Sequence, residues 1–326
     1  MQRIVVGVVR GGPSSEYEVS LNSGATVLNE LDRSRYEPRD ILIDKGGVWH
    51  VNGLALPIDR ALRGIDVIFN AMHGEYGEDG TFQRILDIHG VPYTGSGSVA
   101  SAIAMNKHRT KEALASHGIT MPSGFVIEPQ DGDEFERETM RIFKSVPSPW
   151  VVKPAAAGSS VGVSVASDFR GLQDAIENAQ RVSPRVLIEE FVRGREATVG
   201  VVDSFRGEDP YVFFPVEIIK PGGELCWSYE SKYNGSTQEI CPGNFNEKEK
   251  EQLVQAAAKV HKALGLSHYS RSDFIVSPRG VYFLEVNTLP GITSESLLPK
   301  AVKAAGLKLS EFFTHLIELA RSRKQQ

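Results

Sequence analysis

Residues 271–287 have the sequence RSDFIVSPRGVYFLEVN. Two apolar runs, Phe274–Val276 and Val281–Leu284, flank the turn residues Ser277–Gly280. Apolar runs on either side of a short segment with Pro and Gly are typical of a β-hairpin. We therefore predict that the chain folds back on itself here and brings the polar residues at the two ends of the segment together.

The polar residues at these ends are Arg271, Asp273, Glu285 and Asn287. Glu285 and Asn287 lie two positions apart on a strand and share one face of the sheet, which Asp273 can join from the neighbouring strand. Hard oxygen ligands of this kind suit Mg²⁺, which binds through one or two carboxylates together with substrate phosphates. The alternative is a polar strand face in contact with solvent. The amide and the adjacent arginine favour the metal site.

The first part of the chain alternates short apolar runs with stretches of helical spacing. Ile4–Val9, Asp40–Ile43 and Val67–Phe69 predict buried strands, and Leu21–Leu31 and Phe82–His89 predict helices. Strands that alternate with helices favour a parallel sheet covered on both faces, the α/β class. Ligands of such sheets collect at the carboxyl ends of the strands.

A turn-rich segment, Pro92–Ser98, marks the first boundary. A helix is predicted over 98–117, followed by a small α+β unit of short strands and one helix up to residue 190. The remainder is rich in strands and has two predicted helices, Glu247–Leu264 and Ser310–Arg323. The expected domains are residues 1–96, 97–189 and 190–326.

The long segment Pro221–Asn246 has little periodicity. Such stretches are uncommon inside compact domains and are usually functional lids or disordered loops. Lys232 and Tyr233, with two further aromatic residues, favour a lid; a solvated excursion stays the alternative.

Lys153 and the small residues that follow it up to Gly162 suggest a phosphate-binding loop, because glycine lets backbone N–H groups approach phosphate oxygens. This is not a Walker A loop, since the lysine precedes the glycines and no helix follows. A plain hairpin turn is the alternative. Lys107 and Lys232 matter only if they converge with Lys153 on one triphosphate.

Two further groups of residues are weaker signals. The strand Val186–Val192 runs into acidic residues up to Glu196, which could form an adenine slot or could simply be solvated. Glu18 could pair with a substrate ammonium or favour a helix start. His73, at a strand end, could position a nucleophile or be an ordinary turn residue.

Composition points to an ordinary globular protein, with 41% hydrophobic and 24% charged residues and a net charge of −5. That charge offers no overall attraction for nucleic acid or an anionic membrane. No run approaches the ~20 apolar residues of a membrane-spanning helix, and the run Ile4–Val9 fits a buried strand better than a signal sequence. Cys226 and Cys241 match neither a redox pair nor a zinc site. We expect a cytoplasmic protein with two reduced thiols.

Several motifs occur together in one order along the chain: G-G-x-S-S-E-x-E-V-S-L-N-S-G, H-G-x-x-G-E-D-G, P-Y-T-G-S-G, K-P-x-x-x-G-S-S-V-G, K-Y, R-x-D and E-V-N-T-x-P-G-x-T-x-x-S-L. With these motifs, from Gly11 to about Leu298, the sequence resembles the D-alanine–D-alanine ligases of the ATP-grasp type. The resemblance implies an ATP-grasp fold: an N-terminal parallel-sheet domain followed by two α+β lobes that enclose ATP.

The resemblance also implies how the nucleotide is held. Two Mg²⁺ ions, which Mn²⁺ can replace, would bind to Asp273, Glu285 and Asn287. The residues that bind ATP would be Lys107, Lys153, Ser160, Glu189, Glu190, Val192, Glu196 and Lys232.

The implied substrate residues come from all parts of the chain. Glu18 would hold the ammonium of the first D-alanine, and Ser159 and Tyr233 would link lid closure to Glu18. Arg271 and the backbone N–H of Gly291 would form the oxyanion site. The carboxylate of the second D-alanine would be bound by Ser296 and Leu297, with His73 close by.

Four residues depart from the family pattern. Phe82 and Arg84 replace smaller residues, His268 stands where a small residue is usual, and Ser272 stands where an apolar one is usual. The first three bear on packing and the subunit surface, and Ser272 on the placement of Arg271.

The implied activity is ATP-dependent ligation of two D-alanines through a D-alanyl phosphate, for peptidoglycan precursor synthesis, by a homodimer without nucleic-acid or membrane partners. Tyr233 disfavours a D-lactate ligase, while a D-serine ligase stays open. An ATP-grasp protein that binds nucleotide without catalysis is the more distant alternative.

Overall fold

The computed structural model describes residues 3–129, 132–156, 158, 161–220 and 237–323. Its strands form three sheets of five, four and six strands. Among the described residues, no helix has the length and apolar character needed to cross a membrane.

The first sheet is built from the N-terminal part of the chain and has the order β4-β3-β2-β1-β5. β1 runs parallel to β2 and β5, which confirms the predicted parallel arrangement, and β3 and β4 add an antiparallel edge that the sequence did not predict. Its elements are β1 (Ile4–Gly11), α1 (Tyr17–Glu30), β2 (Tyr36–Ile43), β3 (Trp49–Val51), β4 (Leu54–Leu56), α2 (Ile58–Ala61), β5 (Val67–Asn70) and α3 (Thr81–His89).

The second sheet, β6-β9-β7-β8, is antiparallel throughout. Its apolar face packs against helices in one buried cluster that includes Trp150 and Ile176. The elements from the boundary onward are α4 (Ser98–Met105), α5 (Lys107–Leu114), a 3₁₀ turn (Ala115–His117), β6 (Gly124–Ile127), α6 (Gly132–Ser145), β7 (Trp150–Pro154), β8 (Ser164–Ala166), α7 (Phe169–Gln180) and β9 (Val186–Glu190).

The third sheet has the order β13-β12-β10-β14-β15, with β11 paired to β10. The longest helix in this part of the chain, Glu247–Ala263, begins with a capping box in which Asn246 and Glu249 each bind the other's backbone N–H. The elements are β10 (Arg195–Val202), β11 (Tyr211–Val212), β12 (Val216–Ile219), β13 (Gln238–Ile240), α8 (Glu247–Ala263), β14 (Tyr269–Ser277), β15 (Gly280–Asn287), α9 (Leu297–Ala304) and α10 (Leu309–Ser322).

Three local predictions were wrong, and one further helix, α9, was missed. The unit expected to hold one helix before residue 190 has two, α6 and α7. The single helix expected over 98–117 is interrupted at Asn106, whose backbone is extended and whose side chain caps α5 by accepting the Arg109 N–H. β13 lies within the segment predicted to be a loop, where its three residues pair with β12. α9 was not predicted, because Pro299 in its first turn resembles a helix breaker but is tolerated there.

The last helix, α10, packs against the N-terminal sheet. Phe313 of α10 packs edge-on against Phe69 of β5, with ring centroids 5.2 Å apart. Both rings lie in a buried cluster with Val6 and Leu298. Full burial of one such side chain contributes about 1.5–3 kcal/mol, so this cluster holds the carboxyl edge of the first sheet against the loop that follows β15.

Two of the residues that depart from the family pattern have clear structural settings. Phe82 is fully buried and packs against the rings of Trp49 and Tyr76. His268 has φ +66°, a backbone conformation that favours glycine, and its Nδ1 accepts the Gly95 N–H at 3.0 Å. Arg84 is exposed on α3.

Candidate active site

A cavity of about 650 Å³ lies between the second and third sheets. Apolar side chains such as Val163, Ile219 and Ile275 form part of its wall. Its charged lining residues include Lys107, Lys153, Glu189, Glu196, Asp273 and Glu285. The structure therefore brings together the lysines and carboxylates that the sequence analysis placed around one triphosphate.

One wall of the cavity is formed by β14 and β15, which contribute Asp273 and Glu285. These two residues, together with Arg271 and Asn287, are called the hairpin face. The β14–β15 register pairs Asp273 with Glu285 and Arg271 with Asn287, as the hairpin prediction required. Arg271 donates to both oxygens of Asp273, Nε at 3.0 Å and Nη2 at 2.9 Å. Burial opposes the guanidinium charge, but Asp273 outweighs burial and raises the pKa of Arg271.

The donor set of the hairpin face fits Mg²⁺. Asp273 and Glu285 are two carboxylates, and Asn287 adds an amide oxygen. No cluster of three or more His, Cys, Asp or Glu suited to a metal occurs in the described ranges, so the protein ligands alone are few. Mg²⁺ binds in this way, through one or two carboxylates with phosphate oxygens completing its shell.

Two lysines lie beside acidic groups of this cavity. Lys107 Nζ is 2.9 Å from Glu285 Oε2, at the start of α5. Lys153 Nζ, on β7, is 2.6 Å from Glu189 Oε2. Both lysines have side chains that are almost fully buried, so each is held in place by the carboxylate it contacts.

Glu190, Val192 and Glu196 lie at the other end of the cavity. Glu196 forms an ion pair of 2.5 Å with Lys220. The Glu190 side chain accepts hydrogen bonds from the backbone N–H and hydroxyl of Ser123 and from Arg279. Despite burial, these donors lower the pKa of Glu190.

A second pocket of about 40 Å³ adjoins the large cavity and shares Lys107 and Glu285 with it. Glu16, Glu78 and Gly158 also line it. A Cβ on Gly158 would lie 3.6 Å from the Glu16 carboxylate. The loop after Lys153 therefore reaches the N-terminal part of the chain at this point.

The N-terminal corner, defined as Glu16, His73 and Glu78, lies beside this pocket. His73 donates from Nδ1 to the Leu289 carbonyl at 2.8 Å, so its Nε2 accepts from the Ser23 hydroxyl at 2.7 Å. Burial lowers the pKa of His73 to about 4, and the ring is neutral at pH 7.

Glu78 holds the same loop from a second side. Its carboxyl group accepts the N–H of Gly74 at 2.9 Å and the N–H of Leu289 at 3.2 Å. Burial, and then the charge of Glu16, raise the pKa of Glu78 well above its ordinary value. The corner thus clamps the loop after β15, and its His73 and Glu78 both favour their neutral forms.

Gly291 and Ser296 lie in that loop, where a Cβ on Gly291 would be 2.8 Å from the Ser296 hydroxyl. Thr293 Oγ1 is also 2.8 Å from this hydroxyl. The Leu297 side chain is buried in the core, so only its backbone, in the first turn of α9, could face a ligand.

Family comparisons agree with this arrangement. The model described as "D-ala D-ala ligase C-terminus" matches residues 114–318, and "D-ala D-ala ligase N-terminus" matches residues 5–58 and 54–96. The chain belongs to the D-alanine–D-alanine ligase family. The predicted ATP-grasp fold is thereby confirmed, with the cavity enclosed by the second and third sheets.

Individual members of the D-alanine–D-alanine ligase family are similar over nearly their whole length. The D-alanine–D-alanine ligase of Syntrophotalea carbinolica is 38% identical over 99% of this chain and 98% of its own. Solved structures include the VanG D-Ala:D-Ser ligase of Enterococcus faecalis, with TM-score 0.86, 29% identity and coverage of 98% and 100%. The D-alanine–D-alanine ligase of Bacillus anthracis complexed with ATP has TM-score 0.78, 30% identity and 97% coverage of both chains.

Not every predicted site residue lies where the family role requires. The structure does not bring Glu18 to the site: its side chain is 77% exposed and lies 4.0 Å from Lys45. Glu16, two residues earlier and before α1 begins, lines the small pocket instead. Ser159, Ser160, Lys232 and Tyr233 lie outside the described residues.

Sequence reasoning also missed Glu78, Thr198 and Lys111. Thr198 Oγ1 donates to Asp273 at 2.5 Å from the facing position on β10. Lys111 contacts Glu189, the partner of Lys153. Its spacing of four from Lys107 on a helix was the available signal, because such residues share a face.

Proposed function

We propose that this protein joins two D-alanines in an ATP-dependent reaction, through a D-alanyl phosphate, for peptidoglycan precursor synthesis in the cytoplasm. The observation that supports this best is the meeting of two pockets at Lys107 and Glu285. The larger has the size and charged lining for a nucleotide, and the smaller has room for the head of an amino acid.

In this proposal ATP occupies the larger cavity. Lys107 and Lys153, together with Lys232 and the backbone of Ser160, bind the phosphates. Asp273, Glu285 and Asn287 would hold two Mg²⁺ ions, replaceable by Mn²⁺, and these cations would offset the negative charge of the phosphates. Adenosine lies against Glu189, Glu196 and the main chain of Glu190 and Val192.

The first D-alanine is bound by Glu16, which takes the ammonium role that the sequence analysis gave to Glu18. A carboxylate oxygen of this D-alanine attacks the γ-phosphorus of ATP. The bond from that phosphorus to the bridging oxygen breaks, and ADP leaves. Lys107 and Lys153 stabilise the negative charge that develops on the transferred phosphoryl group.

The second D-alanine is bound through its carboxylate by Ser296 and the backbone of Leu297, with His73 nearby. The amine of this second D-alanine, after losing a proton, attacks the carbonyl carbon of the acyl phosphate. Arg271 and the N–H of Gly291 stabilise the oxyanion, which collapses to the dipeptide and inorganic phosphate. An acyl phosphate is readily hydrolysed, so the segment 221–246 is proposed to close as a lid. Tyr233 and Ser159 keep the proposed role of linking its closure to the residue that binds the ammonium.

The test is a coupled assay of ADP release with D-alanine or L-alanine as the only amino acid, with Mg²⁺ present and then removed by a chelator. We expect ADP release only when D-alanine and Mg²⁺ are both present. Release of ADP that does not depend on D-alanine would contradict the proposal and favour a nucleotide-binding protein without ligase activity.

A D-alanine–D-serine ligase is the second candidate, favoured by the similarity to VanG. Product analysis with D-alanine plus D-serine or D-lactate decides between them: we expect D-alanyl-D-alanine as the main product. A homodimer is part of the proposal, and light scattering at several protein concentrations would test it.

A further inference from the structure

Lys111 occupies an unusual position for a lysine behind the nucleotide cavity. Its side chain is only 12% exposed, and its ammonium contacts Glu189, which is itself 2% exposed. It also donates to the Pro122 carbonyl at 3.4 Å. Lysine is almost never this buried unless it is paired, so the contact with Glu189 is what keeps it there.

Glu189 is shared between two lysines. One carboxylate oxygen, Oε1, contacts Lys111, and the other, Oε2, lies 2.6 Å from Lys153 Nζ. Lys153 and Glu189 line the cavity, whereas Lys111 does not line it and reaches Glu189 from α5. The Glu189 carboxylate therefore lies between the two lysine side chains.

This arrangement costs Lys111 much of its preference for the charged form. Burial first, and then the positive charge of Lys153, lower the pKa of Lys111 to about 6. Strongly shifted groups of this kind gather at functional sites.

We propose that Lys111 is a positioning residue of the nucleotide site: it holds one carboxylate oxygen of Glu189, so that the other oxygen fixes the Lys153 ammonium at the cavity wall. Without Lys111, both oxygens of Glu189 turn to Lys153 and draw it away from the phosphates. The inference rests on the proposed function, in which Lys153 binds ATP.

The test compares the Michaelis constants for ATP and for D-alanine in Lys111→Met, with Arg109→Met as the matched control. Arg109 is exposed on the same helix, and its replacement also removes one positive charge. Leaving one oxygen of the buried Glu189 carboxylate without its partner is costly, so we expect the KM for ATP to rise ~10-fold or more in Lys111→Met. The KM for D-alanine and the control should stay within about 2-fold of wild type, the size expected of a substitution away from the site.

Two further variants separate positioning from general damage. Lys111→Arg keeps a cation that can contact Glu189 and should restore much of the ATP affinity. The double variant Lys111→Met/Lys153→Met should bind ATP no more weakly than Lys153→Met alone, because residues that act through one another are not additive. If Lys111→Met does not fold, Lys111→Gln and Lys111→Arg give the same comparison, with binding of Mg·ADP measured by calorimetry.

Each outcome is decisive. An unchanged KM for ATP in Lys111→Met, beside a raised one in Lys153→Met, overturns the positioning role alone. An unchanged KM in both variants overturns the assignment of Lys153 within the proposed function. Equal increases for ATP and D-alanine, or additive effects in the double variant, mean that Lys111 only supports the fold.

Discussion

The hairpin face and the N-terminal corner meet at the smaller pocket, yet burial acts on them in opposite ways. On the hairpin face, Arg271 is buried but donates two hydrogen bonds to Asp273, and its pKa is raised. In the corner, burial prevails: the pKa of His73 is lowered and that of Glu78 is raised. Arg271 keeps its charge, whereas His73 and Glu78 favour their neutral forms.

The difference follows from the partners. Asp273 gives Arg271 a countercharge at hydrogen-bond distance, which offsets the desolvation of both groups. His73 and Glu78 are bonded mainly to backbone groups, which orient a side chain but supply little charge. The hairpin face is suited to stabilising negative charge that develops in a reaction, and the corner to holding the loop with Gly291 in place.

The largest expected effect is on the hairpin face. Arg271→Ala removes the cation that we assign to the oxyanion, and loss of one such donor typically lowers kcat by ~10²–10³. Steady-state ADP release would measure it. Arg84→Ala is the control, because Arg84 is exposed on α3 and its replacement also removes one positive charge. Near-normal kcat in folded Arg271→Ala would remove the contrast between the two regions.

In the corner, the largest effect is expected at Glu16. A hydrogen bond to a charged group contributes ~1.5–3 kcal/mol, so Glu16→Gln should raise the KM for D-alanine roughly 10- to 100-fold. Glu18→Gln should leave it unchanged, because the Glu18 side chain faces solvent and Lys45. The reverse result would restore the assignment made from the sequence.

This pair of residues shows where sequence reasoning stops. Asp273 and Glu285 could be placed together because their pairing depends only on a local hairpin. Glu16 and Glu18 belong to the same motif, and the choice between them depends on how the chain enters α1 and meets Gly158. That contact joins distant parts of the chain, which no local pattern records.

The same distinction holds for the rest of the fold. The parallel strands and the last helix were predictable from periodicity, since each has a clear apolar pattern. The partners of Lys111 and His73, at Glu189 and Leu289, are set by tertiary packing. The helix break at Asn106 was missed, because a cap within an apparently continuous pattern gives only a weak signal.

The neutral state of His73 predicts how stability depends on pH. The unfolded chain binds a proton on this histidine below pH ~6.5, but the native protein does so only near its pKa of about 4. The contribution of His73 to the free energy of unfolding should therefore fall by roughly 3 kcal/mol as the pH drops from about 6.5 towards 4. Glu78, whose pKa burial raises, contributes in the opposite direction as the pH falls, so the His73 contribution is the difference between wild type and a variant without this histidine.

Urea unfolding at pH 7 and pH 5 would measure this in wild type and in His73→Asn. We expect a smaller loss in His73→Asn, with a remainder from His268, whose pKa burial lowers to about 3. His117→Asn, at an exposed histidine, should behave as wild type. Equal losses in all three proteins would show that His73 is not held neutral.

The smallest expected effect concerns the opposite side of the hairpin. Ser272 alternates with Arg271 and Asp273 on β14, so its side chain points away from the cavity. Its hydroxyl is fully buried and has no hydrogen-bond partner within the described structure. An unpaired buried polar group costs ~1–3 kcal/mol, so Ser272→Ala should raise the free energy of unfolding by about 1 kcal/mol without changing kcat.

Ser270 offers a matched comparison on the same strand and face. It is equally buried, but its hydroxyl is 2.7 Å from His261 Nδ1. Ser270→Ala leaves that nitrogen unpaired and should destabilise the protein, whereas Ser272→Ala should stabilise it. If both changes destabilise the protein, the Ser272 hydroxyl has a partner. If Ser272→Ala lowers kcat, the two faces of this hairpin are coupled, because the charged face then depends on the buried opposite face for its geometry.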